Sequence, residues 1–173
     1  MTCIYKNNTI KTTVSLKPLE LSKDIDGILQ GKLKDLYEGK CIKEGYVRKN
    51  SISIKKRSIF GILENGPTDG TVNYDIIYSA EICNPNENDI LEIQITKSTK
   101  VGLIGESKDN DNILQVFLPI EYHQDDKTLE KINEISDKIV DGEANITAKI
   151  EVICKKFNYN DKKIVIIGRL IED

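Results

Sequence analysis

The 173-residue chain is 39% hydrophobic and 31% charged, with a net charge of -3. That balance allows one domain or two small ones around a modest core. It excludes strong non-specific nucleic-acid binding by the whole surface, though not by a local basic face. No apolar run approaches the roughly 20 residues of a membrane span, and the first residues lack the charged-then-apolar layout of a signal peptide, so an intracellular chain with no membrane partner is expected.

The alternation of Thr12, Val14 and Leu16 predicts a first strand within Cys3 to Leu16, interrupted by Pro18. Ser22 is a plausible helix N-cap, with Asp24 and Asp26 in the first turn where the helix dipole favours anions. Ile25, Ile28, Leu29, Leu33 and Leu36 recur at helical spacing; Gly27 and Gly31 weaken that helix, and Gly39 is placed to stop it. Two short strands follow. The first, Cys41 to Val47, carries Gly45, which suggests a bulge or a close backbone approach. The second is Ser51 to Lys55.

Ile59 to Gly70 contains three glycines and one proline and is expected to be irregular. Yet Ile59, Phe60, Ile62 and Leu63 are large and apolar. Loops lie at the surface, so apolar residues there point either to docking on a partner or to a lid over the domain's own core.

Thr71 to Cys83 then alternates without a break. Val72, Tyr74, Ile76, Tyr78, Ala80 and Ile82 share one face, the signature of a half-buried strand about twice the common length. A strand this long can serve two small sheets in turn and so join two subdomains. Beyond the turn at Asn84 to Asp89 the pattern predicts five further strands. These are Leu91 to Ile95, Lys100 to Glu106, Leu114 to Leu118, Ile146 to Cys154 and Lys163 to Ile171. One helix, Lys127 to Val140, sits between the third and fourth. That is the layout of an OB barrel, with a generic small barrel as the competing reading. The expected fold is therefore α+β and mostly β. Residues 1–82 form an N-terminal domain with a helix on an antiparallel sheet; residues 83–173 form the C-terminal barrel.

Little in the sequence indicates catalysis. His123 is the one histidine and lies among Glu121, Asp125 and Asp126, but nothing places a nucleophile beside it; a solvated loop histidine is expected. Asp109 to Asn112 lacks the glycine and the closing glutamate of a calcium loop. No phosphate-binding glycine motif occurs, so no cofactor is expected. Cys3, Cys41, Cys83 and Cys154 form no CxxC pair, which argues against a metal site and for reduced thiols.

Nucleic-acid binding is the better-supported chemistry. With Leu114, Val116 and Leu118 facing the core, Gln115 and Phe117 turn outward. Phe117 with Lys97 and Lys100 would make a minimal stacking and phosphate site, unless Phe117 packs under the helix. The basic residues Arg48, Lys49, Lys55, Lys56 and Arg57 are either a charged strand edge or a face for an acidic partner.

The order of these features resembles a known family. A helix leads into Glu38-Gly39-Lys40-Cys41 and Gly45-Tyr46-Val47. A glycine-rich loop leads into Val72-Asn73-Tyr74-Asp75-Ile76-Ile77-Tyr78-Ser79-Ala80. Pro85 and Asn88-Asp89 precede Ile93, Lys100-Val101-Gly102-Leu103 follows, and Ile167-Gly168-Arg169-Leu170 comes last. In this order the chain is similar to the seventh-largest-subunit family of eukaryotic RNA polymerase II, which includes the corresponding subunit of archaeal RNA polymerase. Asn88 stands where the family has glycine and Ile104 where an aromatic is common, so the resemblance is to a divergent member.

The resemblance implies a non-catalytic polymerase subunit. Its tip loop would insert near the clamp of the largest subunits, and its OB barrel would face emerging single-stranded RNA. A fourth-subunit-like partner belongs to the same picture. The tip falls on Ile59, Phe60, Gly61, Ile62, Leu63, Gly66, Pro67 and Gly70. Such a protein would reside in the nucleus, or in the cytoplasm or virion if virus-encoded; the Ile, Lys and Asn bias of an AT-rich genome is compatible with the second. A free-standing OB-fold RNA-binding protein, associated with an exosome or with translation, is the alternative.

Overall fold

The spine of the N-terminal half is a 12-residue strand, β6 (Val72–Cys83), in a computed structural model that describes residues 5–63, 70–108, 112–123, 125–141 and 146–171. Strand β1 (Lys6–Leu16) pairs antiparallel along its whole length, from Lys6 opposite Ile82 to Leu16 opposite Val72. The other edge of β6 is shared by β3 (Gly45–Val47), β4 (Ser53–Arg57) and β5 (Ile62–Leu63), in that order from the Cys83 end. Strand β2 (Cys41–Ile42) pairs with β3. The alternation of β6 does what it predicts: Tyr74, Ile76, Tyr78, Ala80 and Ile82 are buried. Helix α1 (Ile25–Tyr37) lays Leu29 and Leu33 on that face, both completely buried, and Tyr37 stacks on Tyr78 at 5.9 Å. Burial of each such leucine contributes about 1.5–3 kcal/mol.

Several local expectations are corrected. The α1 cap is Asp24, whose carboxylate accepts from the Gly27 N–H at 3.0 Å; Ser22 instead accepts from the Asp24 N–H. Cys41 to Val47 is a tight hairpin of two strands rather than one strand. Gly45 makes it possible, with φ +131° and a backbone so close that a Cβ would lie 2.5 Å from the Cys83 carbonyl oxygen. The glycine-rich loop is not wholly irregular, because Ile62 and Leu63 pair with Asn73 and Val72. Every strand partner of β6 lies in one sheet, so β6 does not pass from one sheet into a second.

The C-terminal half is a closed five-stranded barrel. Its strands are β7 (Ile90–Thr99), β8 (Gly102–Ser107), β9 (Leu114–Pro119), β10 (Ile146–Lys156) and β11 (Ile164–Leu170). They neighbour one another in the order β7–β8–β9–β11–β10, and β10 closes back onto β7. All neighbours are antiparallel except β9 and β11, which are parallel. Helix α2 (Asp126–Val140) lies between β9 and β10 in sequence and buries Ile132 and Ile135 in the barrel core. This arrangement is consistent with an OB-like barrel.

The two halves are joined by packing and backbone bonds. Cys41, Tyr46 and Cys83 belong to the barrel's hydrophobic core although they come from the sheet. The Cys41 N–H donates to the Asp161 carbonyl at 2.7 Å, and the Asn160 N–H donates to the Cys41 carbonyl at 2.9 Å. Asn84 donates to the Glu44 carbonyl at 2.8 Å and accepts from Lys155. Asn88 takes the left-handed conformation, φ +68°, which asparagine tolerates better than most residues. Cys41 and Cys154 are free thiols.

Candidate functional site

The far end of the sheet, opposite the barrel, is apolar and exposed. Ile59 and Phe60 are each 81% exposed, Ile62 69% and Leu63 64%. Their display follows from local geometry. Leu63 pairs with Val72, and Gly61 lies so close to the Val72 and Tyr74 side chains that a larger residue would collide with them. The bulk on either side of Gly61 therefore turns to solvent. Leu19, 99% exposed, and Leu21 stand on the other side of the same end. The register pairs Leu16 with Val72, and a Cβ on Gly70 would meet Pro18 at 3.2 Å. Gly66 and Pro67 lie outside the described residues.

The sequence reading missed Leu19 and Leu21. Their signal was present, as large apolar residues just beyond a proline and outside any helix or strand period. Six large apolar side chains are thus exposed at one end of the sheet, and exposed apolar surface of that kind marks interaction sites. Strand β6 at ~3.3 Å per residue holds this tip roughly 40 Å from the barrel junction.

The outer face of the barrel carries the second candidate. Strand registers align Lys97, Ile104, Phe117, Ile167 and Cys154 in one row across all five strands. Phe117 has the outward parity expected and is half-buried between Ile104 and Ile167. Helix α2 packs chiefly on β7, where Ser136 and Ser98 are 2.9 Å apart. Lys97 is exposed in the same row, two strands from Phe117; Lys100 is exposed in the turn between β7 and β8. Sequence reasoning missed that Ile104 and Ile167 flank Phe117, since that needs the register of two other strands. It also missed that nearby charges are paired: Glu106 with Lys163, Glu92 with Lys108 and Glu151 with Arg169.

His123 is not a solvated loop residue. It is 3% exposed. Its Nδ1–H donates to the Pro119 carbonyl at 2.8 Å, and Nε2 accepts the Leu170 N–H at 2.8 Å. Burial holds its pKa below the usual histidine value. With both ring nitrogens committed to backbone, the ring has none left for a substrate. Arg48, from the basic segment, is likewise occupied, paired with Glu81 at 2.7 Å and lying over the Tyr5 ring.

No family model matches the sequence, and no curated protein matches it.

Proposed function

We propose that the chain is a non-catalytic stalk subunit of a multisubunit DNA-dependent RNA polymerase. In this reading the tip around Phe60 docks near the clamp of the largest subunits, and the barrel lies along the path of emerging RNA. The observation that carries it is the exposure of Ile59, Phe60, Ile62 and Leu63 at the end of the sheet farthest from the barrel. A surface of that kind is costly to leave in water, and it coincides with the loop that the sequence resemblance assigns to docking. The barrel, with one aromatic and one exposed cation in its central row, suits weak guidance of a strand rather than tight capture. Affinity purification of the tagged chain from its native source tests the proposal. Recovery of the large polymerase subunits supports it, and their absence from a specific eluate counts against it.

A free-standing RNA-binding module is the second reading. The row Lys97, Ile104, Phe117 and Ile167 favours it, because that row is a continuous outward strip across the barrel. It requires the isolated chain to bind single-stranded RNA at submicromolar concentration with steep salt dependence, which the stalk reading does not.

A further inference from the structure

A groove of about 790 Å³ runs between α1 and the outer edge of β4. Four cations line it, Lys34, Lys55, Lys56 and Arg57, against one carboxylate, Asp26. Arg57 and Asp26 pair with each other. Lys34, Lys55 and Lys56 have no ion-pair partner among the described residues. A chain of net charge -3 thus concentrates unpaired positive charge in one cleft.

The groove also offers backbone. Among the described residues β4 pairs with β6 alone, so its other edge presents N–H and C=O groups without a strand partner. Helix α1 caps that edge only at its start, where Gln30 donates to the Ile52 carbonyl at 3.1 Å and Glu38 accepts the Ile52 N–H at 3.2 Å. A bulge between Ile54 and Lys56 leaves both Lys55 and Lys56 exposed. On the facing wall, Gly31 keeps the helix surface low, and a Cβ there would meet nothing within 4 Å. Packing therefore does not demand a helix-weakening glycine at this position.

Charge and a bulge on an edge strand also discourage stray strand pairing. That purpose accounts for Lys55 and Lys56. It does not account for Lys34 on the opposite wall, nor for the clearance above Gly31. Among the described residues no aromatic ring lines the groove to stack on a base, which disfavours a nucleic acid.

We propose that this groove receives an extended acidic peptide of a partner protein. The peptide adds as a strand along β4 and sets its carboxylates against Lys34, Lys55 and Lys56. Strand addition draws affinity from main-chain hydrogen bonds and specificity from the side-chain positions between them. The five residues of β4 suit a segment of about the same length. The proposal stands independently of any polymerase partner.

The test is fluorescence anisotropy of the full chain with a labelled Glu-Val-Glu-Val-Glu-Val peptide. The expected result is saturable binding at least about tenfold tighter than for the Lys-Val counterpart. Lys55→Glu with Lys56→Glu weakens it by about tenfold or more. Gly31→Leu weakens it similarly without changing charge, and N-methylation of alternate peptide residues abolishes it. Absence of saturable binding overturns the proposal. So does undiminished binding by Gly31→Leu or by the N-methylated peptide. Equal displacement of the peptide by inorganic polyphosphate and oligouridylate, unchanged by Gly31→Leu, would reduce the groove to a polyanion patch and also overturn it.

Discussion

His123 Nε2 accepts the backbone N–H of Leu170 at 2.8 Å, which ties the last barrel strand to the turn that leaves β9. The same ring donates from Nδ1 to the Pro119 carbonyl at 2.8 Å, so the bridge requires a neutral imidazole with its proton on Nδ1. Protonating Nε2 would remove the acceptor and place a charge in a buried site beside Arg169.

A pH dependence of stability follows. The folded-state pKa of His123 is lowered from 6.5, with burial as the first cause. The unfolded chain therefore takes up a proton before the folded one does. The contribution of this bridge is complete above about pH 6.5 and is lost as pH falls toward the lowered folded value. Thermal melting between pH 8 and pH 5 should show Tm falling over that window. His123→Ala should cost about 1–3 kcal/mol at pH 8, because it orphans the Leu170 N–H, and should flatten the acid side of the profile.

Two glycines should respond in opposite directions. Gly45→Ala forces a Cβ into the Cys83 carbonyl at a φ of +131° and should cost about 2–4 kcal/mol. Gly31→Ala, on an exposed helix position with open space above it, should stabilise by about 0.5–1 kcal/mol. Urea denaturation midpoints of the two variants check both.

The sequence was most legible where a period ran long enough to read. The alternation of Tyr74, Ile76 and Tyr78, and that of Leu114, Val116 and Leu118, located a spine strand and a barrel strand correctly. The helical spacing of Ile132 and Ile135 did the same for α2. Short elements escaped. The two residues of β2 and the two of β5 are too brief to carry a period, and only their pairing with β3 and β6 makes them strands. The burial of His123 was hidden because its partner Leu170 lies 47 positions away. In the candidate sites, the sequence left Phe60 and Ile62 between docking on a partner and a lid over the core, and the structure exposes both. Leu19 is brought to the same end of the sheet only through the register of β1 with β6.

The barrel row gives a graded expectation for RNA. Phe117→Ala should weaken oligouridylate binding by the full chain by about 1 kcal/mol or more, since a stacked ring contributes roughly 1–3 kcal/mol per base. Lys97→Glu should weaken binding and lower the slope of log affinity against log salt by about one phosphate contact. Fluorescence anisotropy over a salt series separates the two effects. An affinity indifferent to both variants would remove this face from any RNA path.

The docking tip is the central claim, and one measurement addresses it directly: co-purification of the polymerase large subunits with tagged wild type and with Phe60→Asp plus Ile62→Asp, from the native source. Both side chains are largely in water in the isolated chain, 81% and 69% exposed, so the double variant should keep the wild-type Tm within a few degrees. The predicted result is that wild type recovers the large subunits and the variant, folded to the same stability, recovers less than about a tenth as much. Equal recovery by the variant would contradict the account.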